Sequence, residues 1–190
     1  MTKKYFFSFV AFMVSIFAAR GDIIPTLGSI AADGSDFRWN YTTNVTVDQT
    51  VQPGDFFTIY DFGNLIAGSN VQPADWSFTS LLIGATPATV LPEDDAGVLN
   101  LTWTYNGTTP IPGTAFLGTF SVASTTDQLR TDFFTGHATR SSGPTAGSKI
   151  DNIGLISVPV PEMSALGPII GFCGLGAIGY LSSLLRRRIN

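Results

Sequence analysis

From Met163 to Leu185 the chain runs for 23 consecutive residues without an Asp, Glu, Lys, Arg or His. As a helix, such a run reaches roughly 34 Å at ~1.5 Å per residue, enough to cross the ~30 Å hydrocarbon layer of a bilayer. Arg186, Arg187 and Arg188 follow at once, and positive charge clustered beside a span stays on the cytoplasmic side. The expected order is a transmembrane helix over 164–185 and a cytoplasmic basic tail over 186–190, with the preceding chain outside. A segment given to lipid is lost to any water-soluble core, so this run bounds the domain before it.

Ahead of the span stand Val158, Pro159, Val160, Pro161, Glu162 and Met163, a sorting motif or linker over 158–163. Within the span, Gly167, Gly171, Gly174, Gly176 and Gly179 accompany Pro168. Each interior Gly costs a helix ~1 kcal/mol relative to Ala in water, a loss that a bilayer tolerates because the backbone has no other partner there. Gly167 and Gly171 form one G-x-x-x-G spacing that could pack two spans together, or the small residues could ease handling by a processing enzyme. A Pro-Glu-centred motif, a Gly-rich apolar span and a terminal Arg cluster, in that order, resemble the PEP-CTERM sorting signal of exported bacterial proteins. The resemblance covers Val158 to Asn190, with Pro161 and Glu162 at the Pro-Glu positions and Met163 where the family has its second Pro. It implies a membrane-embedded exosortase, a transpeptidase-type enzyme, as processing partner. It also implies a bacterium that builds an exopolysaccharide matrix.

At the other end, Lys3 and Lys4 precede an apolar stretch from Tyr5 to Ala18. A basic start, a short apolar core and small residues after it describe a secretory signal peptide, and the stretch is short for a membrane span. Ala19 and Gly21 satisfy the small-residue requirement three and one positions before a cut, which favours cleavage before Asp22 and a signal peptide over 1–21. The competing site is Ala18-Ala19.

Residues 22–157 remain as one domain large enough for a core. They carry 13 acidic side chains against Arg38, Arg130, Arg140 and Lys149, a net charge of about -9, which the whole-chain value of -4 conceals. A body this acidic does not bind nucleic acid through bulk charge. The single cysteine, Cys173, lies in the apolar span, so packing alone must hold the domain together. The body's pattern has period two. Phe37, Trp39 and Tyr41 alternate with Asp36, Arg38 and Asn40, and Leu99, Leu101, Trp103 and Tyr105 alternate with polar residues. Such alternation sets one side of a strand against a core and the other in water. Further strands are expected at 44–51, 56–62, 76–83, 115–123, 132–140 and 150–158, separated by Pro- and Gly-bearing turns. The fold class expected is all-β, an antiparallel β-sandwich of about eight strands with little helix. Jelly-roll and Ig-like topologies are equally compatible with the pattern.

No constellation for catalysis stands out. His137 is the only histidine, and the neighbouring Asp132 and Ser141 do not make a triad without its geometry. One His and one Cys cannot hold zinc, and no motif calls for a cofactor. Asp33 and Asp36, flanking Gly34-Ser35, and the run Glu93, Asp94, Asp95 are weak calcium candidates. Trp39, Trp76 and Trp103 could stack on sugars, but each is in phase with apolar neighbours and is better placed in the core. The sequons at Asn44, Asn100 and Asn106 match the glycosylation acceptor pattern.

The function expected is therefore that of a non-enzymatic cell-surface or extracellular-matrix protein: exported, held in the envelope by its C-terminal helix, and sorted or released there. Its partners would be the membrane, the processing enzyme and extracellular polysaccharide. One alternative is an extracellular carbohydrate-active hydrolase using carboxylates from the acidic loops, which requires two of them converging in a cleft. The other is an unprocessed single-pass membrane protein.

Overall fold

A computed structural model describes residues 22–161, and the expected signal peptide, span and arginines lie outside the described residues. The described chain forms ten strands and no helix: β1 Ile23–Asp33, β2 Asp36–Val45, β3 Gln49–Val51, β4 Phe56–Phe62, β5 Trp76–Leu81, β6 Leu99–Tyr105, β7 Ile111–Pro112, β8 Ala115–Ser124, β9 Leu129–Arg140 and β10 Lys149–Pro159. Every strand pairing is antiparallel. One sheet has the order β1-β2-β8; the other has the order β5-β6-β4-β9-β3-β7, with β10 along the far side of β9. The protein is all-β, two antiparallel sheets enclosing one core in the manner of a β-sandwich.

The period-two residues make that core. Trp39 and Tyr41 of β2 and Phe120 and Val122 of β8 meet Phe57, Ile59, Leu101 and Trp103 of β4 and β6, all fully buried. Trp103 stacks on Phe57 with ring centroids 5.1 Å apart, and Phe120 stands edge-on to Phe57 at 5.0 Å. Trp76 is buried against Phe120 at 5.0 Å. All three tryptophans are thus core residues, as their phase implies.

Two strands were not legible. β1 carries Pro25 and Gly28 and no clean alternation, because it is an edge strand that pairs only with β2 and is largely exposed beyond Leu27. An edge tolerates Pro, since one row of N–H groups needs no ladder partner. Ile111–Pro112 reads as part of a turn, yet forms a short ladder with β3. The candidate strand at 44–51 is corrected: β2 continues to Val45, the chain turns at Val47-Asp48 with Asp48 at φ 63°, and β3 begins at Gln49. The strand expected over 76–83 stops at Leu81, so Leu82 and Ile83 are exposed in the loop beyond it.

That loop, 82–98, lies against the outer face of the larger sheet. Thr58 and Tyr60 of β4 donate to Ala85 O at 2.6 and 3.3 Å, and Thr89 donates to Asp151 of β10 at 2.6 Å. At the C-terminal exit, the Val160 N–H donates to Gln128 O at 2.9 Å, and Asn64 Nδ2 donates to Val160 O at 3.2 Å. Gly63 is required there: a Cβ would lie 2.5 Å from the Pro161 nitrogen. Val158 and Pro159, the first residues of the expected sorting motif, belong to β10, pairing with Arg130 and Leu129.

Candidate functional site

Where the 82–98 loop returns to the sheet, it brings Glu93, Asp94 and Asp95 to a cleft of about 350 Å³ whose other walls include Asp61, Arg130 and Asp132. Asp61 reaches it from an irregularity in β4, where the register with β6 shifts between Ile59 and Phe62 and Asp61 takes φ 53°. Its carboxylate oxygens accept the Asp95 N–H at 3.0 and 3.1 Å. Asn100 ties the same corner: its Oδ1 accepts the Asp61 N–H at 2.9 Å, and its Nδ2 donates to Asp94 Oδ1 at 3.0 Å and Leu82 O at 3.2 Å. Arg130 and Asp132 come from β9, opposite Val158 and Ile156 of β10. One guanidinium nitrogen of Arg130 lies 3.0 Å from Asp132 Oδ2 and 3.7 Å from Asp61 Oδ2, and it donates to Asp61 O at 3.0 Å.

Five carboxylates facing one cation shift the protonation of the two most enclosed. Burial pushes Asp61 up to about 6, with Asp132 and Asp94 adding to the shift against the Asp95 N–H and Arg130. Burial also raises Asp132, against the Phe133 N–H and Arg130, with Glu93 and Asp94 adding. A group raised in the fold above its ordinary value of 3.8 contributes stability that is full below that value and is lost as pH rises through the folded one. The urea midpoint of the protein is therefore expected to carry a fall between pH 4 and pH 7 that Asp61→Asn reduces, the raised Asp132 and Asp22 keeping the rest, and the variant should be the more stable of the two at pH 7. An unchanged difference between variant and wild type across that range would refute the raised protonation of Asp61.

Chemically, the cleft brings two carboxylates, Asp61 and Asp132, against the same guanidinium, the kind of convergence that the hydrolase alternative requires. Their surroundings answer a different need. Asp61, Asp94 and Asp95 spend their oxygens on the Asp95 N–H, Asn100 and the Gly97 N–H, bonds that hold the loop to the sheet. The tryptophans that would stack on a sugar ring are in the core.

The other candidates are dispersed. Asp33 faces Asp36 across the β1–β2 hairpin and is bonded by Arg38 at 2.7 Å. Among the described residues, no group of three or more His, Cys, Asp or Glu side chains is arranged to hold a metal ion. His137 pairs with neither Asp132 nor Ser141: its Nδ1 bonds Asp151 Oδ1 at 2.5 Å, and its ring stacks on Phe56 at 5.1 Å. Burial alone would raise Asp151, but the Thr89 hydroxyl and His137 outweigh it and hold the carboxyl below its usual range. Asn100 is fully buried, which removes that sequon from any transferase acting on the folded chain.

Asp61 is the site carboxylate that sequence reasoning missed, and Asp132 enters it only as a neighbour of His137. The available signal was one carboxylate inside the apolar run Phe56 to Phe62, a place where a charge needs a partner. Set beside protein-family models, curated proteins and solved structures, the chain matches none of them.

Proposed function

We propose that this chain is an exported cell-surface or extracellular-matrix protein with a non-catalytic, sheet-built body, sorted and cut at its C-terminal tail by a membrane-embedded exosortase-type enzyme. The observation that carries this reading is the order of parts behind the last strand: Pro161-Glu162, an uncharged run of 23 residues, then three arginines. The fold agrees with the division of labour. Val158 and Pro159 are locked in β10 and Val160 is pinned by Gln128 and Asn64, so the hydrogen bonds that tie the chain to the domain run up to Val160, just ahead of the motif's Pro161 and Glu162. The two processing points are also well separated. Asp22 lies beside Ala138 and Pro159 pairs with Leu129, so the chain enters and leaves roughly 30 Å apart along β9 at ~3.3 Å per residue.

Intact mass of the protein recovered from envelope and medium tests this directly. A species beginning at Asp22 and ending near Glu162 is the expected result; one that retains Arg188 shows a lasting single-pass anchor instead. Replacing Arg186, Arg187 and Arg188 with Ser should disturb orientation or retention, and unchanged topology and sorting would count against the tail assignment. The hydrolase alternative draws on the convergence of Asp61 and Asp132. Polysaccharide cleavage by the purified protein that disappears in both Asp61→Asn and Asp132→Asn would favour it over a non-catalytic body.

A further inference from the structure

We infer that cleavage before Asp22 is itself a stabilising step, because the α-ammonium it creates at Asp22 supplies the missing counter-charge and donors to a buried acidic group between the two sheets. The inference rests on the reading of residues 1–21 as a signal peptide. Asp22 is fully buried. Its Oδ1 accepts the Ile23 N–H at 2.8 Å, while its Oδ2 has no hydrogen-bond partner. Its backbone is held on both sides: the Thr46 N–H donates to Asp22 O at 3.2 Å, and β9 comes so close at Gly136 that a Cβ there would lie 2.6 Å from Ile23 O.

The charges that face Asp22 leave it unserved. From β10, Lys149 bonds Asp55 and donates to Thr139 at 2.8 Å. From β9, His137 is bonded to Asp151. The carboxylates of Asp55 and Asp151 act on Asp22 with the same sign as its own charge. Burial, followed by these two neighbours, pushes its carboxyl up to about 7, against the pull of the Ile23 and Ala138 N–H groups. Near Ile23 a second acceptor is orphaned: Asn152 Oδ1 is buried without a partner, and its amide nitrogen reaches Ile23 O only at 3.5 Å.

The cut answers the deficit at Asp22. Water hydrolyses the Gly21–Asp22 peptide bond; the oxygen goes to the Gly21 carboxylate, and the freed Asp22 amine takes a proton at neutral pH. A neutral amide with one N–H becomes a cation with three donors, as in any primary ammonium. A buried carboxylate with a counter-charge ionises at less cost than one without it, which must bind a proton or destabilise the fold. In the uncut chain, the sign of the linkage makes stability fall as pH rises toward 7, because the folded carboxyl is raised. In the cut chain, pairing with the ammonium removes most of that fall.

The test uses the full chain, exported and recovered from the envelope. A Ser-Ser insertion between Gly21 and Asp22 keeps Ala19 and Gly21 ahead of the cut but moves the new ammonium up to ~7 Å along the chain. Mass first shows where each mature protein begins. If the wild type keeps Met1, the signal-peptide reading and this inference fall together, and if it begins at another residue near Ala19, the inference falls while the signal peptide stands. If it does, the insertion should lower the urea midpoint by about 1 M at pH 7 and much less at pH 5, and Asp22→Asn should abolish that difference. Equal midpoints with and without the insertion at both pH values would overturn the inference alone. So would a loss of the same size in the Asp22→Asn background, or failure of the inserted protein to fold even at pH 5, since either would show a steric cost.

Discussion

Trp103→Ala should cost about 3–5 kcal/mol of folding stability, the range for truncating a large buried aromatic. Against a typical total of ~5–15 kcal/mol, that loss lowers the thermal midpoint by roughly 10–20 °C for a domain of this size. The reason is where the side chain sits. Trp103 is fully buried on β6, stacked on Phe57, and in contact with Phe78 at 5.1 Å and Phe120 at 5.8 Å, so it joins the aromatic layers of both sheets. Its indole Nε1 is buried without a partner. Trp103→Phe therefore removes an unsatisfied donor along with some volume, and should cost clearly less than the Ala change. Urea denaturation of the three proteins reads both effects. A Trp103→Ala protein within 1 kcal/mol of wild type, at the ~1 kcal/mol level of an ordinary substitution, would show that Trp103 does not join the sheets.

Lys149→Met should destabilise by about 3 kcal/mol while keeping most of the side-chain volume. Asp55 stands just ahead of β4 with a fully buried side chain. It accepts the Gln52 N–H at 2.8 Å and the Thr139 hydroxyl at 3.0 Å, and pairs with Lys149. Removing the cation strands a carboxylate in the interior, and breaking a buried pair from one side costs ~3–5 kcal/mol. The lower end applies because the Lys149 side chain is 44% exposed, so water at the rim softens the loss. Adding Asp55→Asn to Lys149→Met should recover part of the stability, a coupling that a double-mutant cycle isolates. Strict additivity of the two changes would mean that the pair contributes nothing to the fold.

Both expectations concern residues whose local sequence signals differ greatly. Trp103 lies in the run Leu99 to Tyr105, where alternation already tells which side is inward, and the structure buries Leu101, Trp103 and Tyr105 together. Asp55 follows Gln52-Pro53-Gly54 and reads only as a polar turn residue. Its importance comes from Lys149 and Thr139, far along the chain, arriving through the β9–β10 hairpin. The acidic cleft follows the same rule: Glu93, Asp94 and Asp95 stand out as a cluster, but Asp61, Arg130 and Asp132 join them only after β4 and β9 pair. Likewise, His137 finds Asp151 because Lys149–Pro159 lies in register against Leu129–Arg140.

Sequence by itself determined the all-β character, the inward tryptophans and the greater part of the strand set. These follow from the period of a single strand, which is a local property and needs no knowledge of neighbours. It left β1 and β7 unread, because an edge strand with Pro and Gly and a two-residue ladder are stabilised by their partners and not by their own pattern. Tertiary structure alone decided which carboxylates share a cleft, which one is paired with Lys149, and that Asp22 is buried with an oxygen to spare. Those are facts about distance between residues remote in the chain, and the energy of a charge depends on what the fold has brought within a few ångströms of it.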